Sequence, residues 1–87
     1  MKLVKAAGRF TETTIDDEIV VMNLDSGDFF SLTGTARAIW LALDGQPDRA
    51  GLLNTLAAEF GAEPDELAGD VNAFLAQLAA AGLLVGE

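Results

Sequence analysis

The sequence predicts a two-layer α+β domain in which a three-stranded antiparallel sheet is followed by three helices. Between residues 10 and 32, apolar residues alternate with polar ones or form a short β-branched run. After residue 33 the apolar spacing changes to the 3.6-residue period of amphipathic helices. A sheet and helices that each have one apolar face are stable when those faces pack together. We expect residues 1–87 to form a single domain, because a chain of this length leaves no room for a second core.

Three extended segments precede the helices. The first covers residues 10–15 and is rich in threonine, and the acidic pair Asp16-Asp17 supplies the turn after it. The second, from Glu18 to Leu24, is apolar and β-branched, as strands commonly are. The third, from Asp28 to Leu32, follows a turn in which Gly27 can take a positive φ without steric cost. These segments predict a short antiparallel meander.

Three amphipathic helices are predicted after the strands. Their N-terminal signals are Thr33, Asp48 and Pro64. We expect each helix to end at a glycine, at positions 45, 61 and 82, and Gly45 to take the left-handed conformation. Leu83 to Val85 should then pack back on the body of the domain. The apolar faces assigned to the core are Ala36, Ile39, Trp40 and Leu43 in the first helix, Leu52, Leu53, Leu56, Ala57 and Phe60 in the second, and Leu67, Val71, Phe74, Leu75 and Leu78 in the third.

The charge balance restricts the class of partner. Fourteen acidic residues against five basic ones give a net charge of −9. Proteins that bind nucleic acid gain affinity by neutralising phosphates, and anionic membrane surfaces also attract basic residues. The sequence therefore favours a protein or peptide partner over nucleic acid or a membrane. The N-terminus lacks the apolar core of a signal peptide, and there is no cysteine, so we expect a cytoplasmic protein.

The side chains that most enzymes depend on are missing. The sequence contains no histidine, no cysteine and no tyrosine, and no glycine-rich loop that would cradle a phosphate. No metal site and no cofactor are predicted. Ser26, in Asp25-Ser26-Gly27-Asp28, invites comparison with the cofactor-bearing serine of acyl carrier proteins, but a glycine follows it and the segment is better explained as a hairpin turn. We expect a protein without catalytic activity.

Several short segments, in order and at family-like spacing, carry a resemblance to a known family. They are Asn23–Leu32, Thr33–Trp40, Asp44-Gly45, Leu56–Phe60, Asp70–Leu75 and Leu78–Leu84. Together they make the stretch from residue 19 to residue 85 resemble the PqqD-like peptide chaperones, also called RiPP recognition elements. Phe30 and Thr33 stand where members of that family often have tyrosine and asparagine, which leaves the specificity of any bound peptide open.

The resemblance implies a winged-helix fold that binds the leader segment of a ribosomally made precursor peptide. Such a leader adds as an extra strand in the groove between the third strand and the third helix. It is thereby presented to a modifying enzyme or a leader peptidase. Carried onto this sequence, the groove consists of Asp28, Phe29, Phe30, Ser31, Leu32, Asp70, Phe74 and Gln77. Because side chains alternate along a strand, either Phe29 or Phe30 faces the core and the other faces away.

Three functions are left open by the sequence. The first is the leader-binding adaptor, acting as a monomer or weak homodimer in a lasso-peptide pathway or a quinone-cofactor pathway. The Gly27-Asp28-Phe29-Phe30 hairpin resembles that of the lasso-peptide adaptors more than that of the quinone-cofactor adaptors. The second is a winged-helix DNA-binding regulator, which the acidic residues Glu66 and Asp70 on the would-be recognition helix disfavour. The third is a structural or regulatory subunit without a peptide ligand.

Overall fold

The fold combines two small antiparallel sheets with three helices. The computed structural model describes residues 2–85. In chain order the elements are β1 (Val4–Lys5), β2 (Phe10–Ile15), β3 (Glu18–Asn23), β4 (Phe29–Leu32), α1 (Gly34–Ala42), a 3-10 turn (Leu43–Gly45), α2 (Arg49–Phe60), α3 (Pro64–Ala80) and β5 (Leu84–Val85). The main sheet has the order β2-β3-β4, which confirms the predicted meander and the three helices after it.

The main sheet buries one face only. Ile19 and Val21 of β3 are buried and pair with Leu32 and Phe30 of β4, so these side chains form the inner face that meets the helices. The side chains between them point the other way, because successive residues of a strand face opposite sides. Phe29 is 69% exposed on that opposite side, whereas Phe30 packs against the core. This confirms that one phenylalanine faces inward and the other outward.

Trp40 lies at the centre of the core and is fully buried, as predicted. Its ring meets that of Phe10 edge to face at a centroid distance of 5.1 Å, and its Nε1 donates a hydrogen bond to Glu12. The Nζ atom of Lys5 lies 4.1 Å from the centre of the indole ring and donates to Asp44 at 2.7 Å. A cation over a tryptophan ring contributes about 0.5–2 kcal/mol, depending on desolvation. Trp40 of α1 thus contacts both β1 and β2, and Lys5 of β1 links this cluster to the 3-10 turn.

The pairing of β1 with β5 was not predicted from the sequence. Val4 pairs with Val85 and Lys5 with Leu84. Leu3 and Leu83 beside these strands are fully buried, while Val85 is 53% exposed. The expectation that the C-terminal residues pack back on the domain is therefore right for Leu83 and wrong for the side chain of Val85, which lies at the end of a two-residue strand.

The helix ends differ from expectation at three positions. Thr33 is at the N-cap of α1, but its side chain makes no capping hydrogen bond. Gly45 does not take the left-handed conformation, because the 3-10 turn continues the helix and Gln46 takes that conformation instead, with φ 52°. Phe60 was assigned to the core but is 45% exposed as the last residue of α2. Asp48 does accept from the Gly51 N–H at 2.7 Å and Gly61 ends α2, as predicted, with φ 63°.

No helix in residues 2–85 has the length and apolarity that crossing a membrane requires.

Candidate functional site

The free edge of β4 is the first wall of the predicted groove. In the order β2-β3-β4, β3 is the strand neighbour of β4 within residues 2–85, and the far side of β4 carries no strand. The N–H of Asn23 donates to the carbonyl of Asp28 at 2.8 Å, which closes the hairpin with a hydrogen-bonded pair. Hydrogen-bonded and non-hydrogen-bonded pairs alternate along an antiparallel ladder. The pairs Met22–Phe29 and Val20–Ser31 are therefore non-hydrogen-bonded.

This register determines which backbone groups are available. Phe29 and Ser31 each direct one N–H and one C=O away from β3, toward the free edge. Phe30 and Leu32 direct theirs toward β3. An edge of this kind is a template for pairing with another extended chain.

The side chains of β4 divide between the two faces of the sheet. Asp28, Phe29 and Ser31 are exposed, and the hydroxyl of Ser31 donates to Glu18 of β3. Phe30 is half-buried against the core, and Leu32 is 3% exposed and belongs to the core. Of the β4 residues that were predicted to bind the peptide, Leu32 is therefore part of the hydrophobic core. Phe30 remains partly accessible on the inner face of the sheet, next to the free edge.

The second wall is one flank of α3. Asp70, Phe74 and Gln77 are spaced four and three residues apart and therefore share a stripe along the helix. Asp70 and Gln77 are exposed, and Phe74 is half-buried against the core. On the other flank Asn72 accepts a hydrogen bond from Arg49, the first residue of α2. The Asp70–Phe74–Gln77 stripe thus lies on the flank away from α2.

α1 connects the two walls, because it packs against both β4 and α3. Phe30 of β4 and Phe74 of α3 both pack against the hydrophobic core that α1 helps to form. The predicted residues of β4 and those of α3 therefore rest on the same core and on the same helix, α1. The β4 side presents free backbone N–H and C=O groups, and the α3 side presents the partly exposed ring of Phe74.

Asn23 ties the β3–β4 hairpin to the end of α3, a role for which no prediction was made. It is the one polar side chain counted as buried within residues 2–85, with 6% exposure. Its Nδ2 donates to the carbonyl of Ala81 at 2.8 Å, and its Oδ1 accepts from the N–H of Asp25 at 2.9 Å and of Ser26 at 3.3 Å. The signal that could have revealed it is an asparagine two residues before the Asp-Ser-Gly turn, where its side chain can bond the backbone two residues on.

We expect Asn23→Ala to lower the free energy of unfolding by about 1–3 kcal/mol, because it leaves the part-buried Ala81 carbonyl without its donor. Urea unfolding followed by circular dichroism measures this. Ser26→Ala is the matched control in the same hairpin, since its hydroxyl accepts only one exposed bond, from the Asp28 N–H at 3.2 Å. Equal stability of the two variants would mean that Asn23 does not fix the hairpin on α3.

A separate cleft of about 280 Å³ lies between β1, the start of β2 and the 3-10 turn. Lys5, Phe10, Glu12 and Asp44 are among its lining residues. Lys5 and Glu12 are already engaged with Trp40, and Lys5 with Asp44. None of the predicted peptide-binding residues lines this cleft.

The electrostatics of α3 argue against a DNA-contacting helix. Asp65, Glu66 and Asp70 lie in its first half, and its sequence from Pro64 to Ala80 has no lysine or arginine. A recognition helix needs basic side chains that neutralise the phosphates beside the groove. The alternative of a DNA-binding regulator therefore has no support.

The fold is similar to that of TbiB1, whose structure was determined in complex with the TbiA(beta) leader peptide. The TM-score is 0.84 at 27% sequence identity, and the similarity covers 97% of this chain and 98% of TbiB1. No curated protein sequence matches the chain significantly. Residues 18–84, from the start of β3 to β5, match the family described as Coenzyme PQQ synthesis protein D (PqqD). Since that match spans well over half of the chain, the protein belongs to the PqqD family.

Proposed function

We propose that this protein is a non-catalytic adaptor that binds the leader segment of a ribosomally synthesised precursor peptide and presents it to a modifying enzyme or leader peptidase. The leader pairs with the free edge of β4 and packs its inward side chains against Phe30 and the α3 stripe. The observation that carries the proposal is the open edge at Phe29 and Ser31, in a fold similar to that of a protein solved with a leader peptide.

The energetics require both walls of the groove. Each backbone hydrogen bond to an added strand contributes about 0.5–1.5 kcal/mol net. The groups that Phe29 and Ser31 present would thus give only weak binding on their own. Burial of apolar leader side chains contributes roughly 25 cal/mol for each Å² removed from water, and the half-buried Phe30 and Phe74 provide surface for it. Main-chain bonds then give general affinity and the apolar contacts give specificity.

The lack of histidine, cysteine and tyrosine supports a role without catalysis, since the partner enzyme then supplies the chemistry. We further propose that the chain works as one winged-helix-like domain in the cytoplasm, where ribosomal precursors are made. The Gly27–Phe30 hairpin supports a lasso-peptide pathway over a quinone-cofactor pathway.

A substitution on α3 tests the second wall. We expect Gln77→Arg to weaken leader binding about tenfold, equivalent to about 1.4 kcal/mol, because a longer charged side chain enters the groove. Isothermal calorimetry with a synthetic leader of the cognate precursor measures the affinity, and thermal melts check the fold.

Ala76→Arg is the matched control for that experiment. Ala76 is exposed like Gln77, but it lies about 100° around the helix, on the flank toward α2. The Ala76→Arg variant should bind the leader as the unmodified protein does. If both arginine variants bind equally well, α3 forms no wall of the site.

A further inference from the structure

The outer face of the main sheet is an apolar surface that the described helices leave uncovered. The strand register places Thr11, Thr13 and Ile15 of β2, Glu18, Val20 and Met22 of β3, and Phe29 and Ser31 of β4 on this face. Ile15 is 53% and Phe29 69% exposed, and Val20 and Met22 between them are half-buried. None of these four residues belongs to the core cluster or packs against it.

One end of the outer face is acidic. Asp16 and Asp17 form the turn between β2 and β3, and Glu18 starts β3. Within residues 2–85 none of these three carboxylates takes part in an ion pair. The five basic side chains are placed elsewhere. Lys2 precedes β1, Lys5 lies over Trp40 and Arg9 pairs with Asp25, and the other two are arginines on α1 and α2. The outer face is therefore an apolar centre with an uncompensated negative end.

We propose that the outer face is the docking surface for the enzyme that processes the bound precursor, and that the enzyme's complementary patch combines apolar side chains with lysine or arginine. This inference rests on the proposed function. Exposed apolar surface on a small domain is typical of interaction sites, and charge complementarity selects a basic partner.

The leader and the enzyme would use the sheet without competing. A leader added to β4 extends the sheet sideways, and adjacent strands are about 4.8 Å apart, so β2 lies roughly 14 Å from the leader. The enzyme would contact the same sheet from the outside, next to the peptide that leaves the β4 edge. A second copy of this chain fits less well, because it also has a charge of −9 and the face holds no basic residue to pair with the carboxylates.

Adjacent residues of β2 provide a matched pair of variants. Thr13 lies on the outer face and Thr14 on the opposite side of the strand, and both side chains are exposed. Thr13→Lys places a positive charge in the proposed interface, and Thr14→Lys makes the same change outside it. Ile15→Ser removes exposed apolar surface from the face without adding charge.

The test measures two binding affinities separately, one for the purified modifying enzyme or leader peptidase of the same pathway and one for the synthetic leader. We expect Thr13→Lys to raise the Kd for the enzyme at least tenfold and Ile15→Ser at least threefold, with Thr14→Lys unchanged. All three should keep the leader Kd within twofold and melt normally.

Three results would overturn the proposal. The first is enzyme binding by Thr13→Lys and Ile15→Ser at full strength. The second is a loss of leader affinity in Thr13→Lys, which would assign the outer face to the peptide. The third is a homodimer in sedimentation that Thr13→Lys dissociates, which would make a second copy the occupant. Because enzyme binding is measured without leader, failure of the unmodified protein to bind leader would count against the proposed function alone.

Discussion

Replacing Trp40 with alanine is expected to remove a large part of the protein's stability and to lower its melting temperature steeply. The side chain is fully buried, and it contacts Phe10, Lys5 and Glu12 from two different strands. Removing a buried tryptophan costs about 3–5 kcal/mol, while a domain of this size has a total stability of roughly 4–13 kcal/mol. The loss of the indole also leaves Lys5, whose side chain is only 10% exposed, without its ring partner. Circular dichroism during urea unfolding reports the change.

Leu41→Ala is the control, because Leu41 neighbours Trp40 in α1 but is 43% exposed. Its cost should stay within about 0.5 kcal/mol, as for most surface substitutions. The single tryptophan of the unmodified chain should also fluoresce as a buried indole that quenchers do not reach. A Trp40→Ala protein that melts normally but loses leader affinity would show that Trp40 belongs to the binding site.

The main elements could be predicted from the sequence because each has its own local signal. Threonine and β-branched residues predict β2 and β3, and the turn at Gly27 marks the start of β4. The change of apolar period marks α1, and Asp48, Gly61 and Pro64 delimit the later helices. These signals act within a few residues of chain, so they can be recognised without knowledge of the tertiary structure.

The structure differs from the sequence prediction in two kinds of place, namely where distant segments pair and at the ends of helices. β1 and β5 are two residues each and about 80 residues apart in sequence, so their pairing has no periodic signal. The left-handed residue after α1 is Gln46 instead of Gly45 because the 3-10 turn adds residues to the helix. Phe60 has the spacing of a core residue, but it is the last residue of its helix.

The residues of the candidate site stay a prediction from the resemblance, and the structure adds their geometry. The resemblance indicates the segments at residues 28–32 and 70–77, yet only the register shows that Phe29 and Ser31 face the free edge. The Asn23–Ala81 bond joins residues that are 58 positions apart, which the sequence does not reveal.

Replacing Ser31 with proline is expected to abolish measurable leader binding while leaving the fold intact. Proline removes the outward N–H of Ser31, and its ring obstructs an approaching strand. The ladder to β3 loses no bond, because Ser31 sits in a non-hydrogen-bonded pair with Val20. Ser31→Ala separates the hydroxyl from the backbone effect: it loses the bond to Glu18 but keeps the N–H. It should bind the leader nearly as well as the unmodified protein.

The opposite edge of the same sheet supplies a proline control. The N–H of Leu24 donates to the carbonyl of Arg9 at 2.9 Å, so the alternation along β2 directs the N–H of Thr14 to the free edge of that strand. Thr14→Pro therefore removes an outward edge donor just as Ser31→Pro does, but two strands away from the proposed groove.

Calorimetric titration of the leader into the unmodified protein, Ser31→Pro and Thr14→Pro, with thermal melts of all three, tests the strand-addition site most directly. We expect Thr14→Pro to bind like the unmodified protein and Ser31→Pro to lose at least two orders of magnitude in affinity, with all three melting cooperatively. Full-strength binding by a normally folded Ser31→Pro protein would contradict leader binding at the edge of β4.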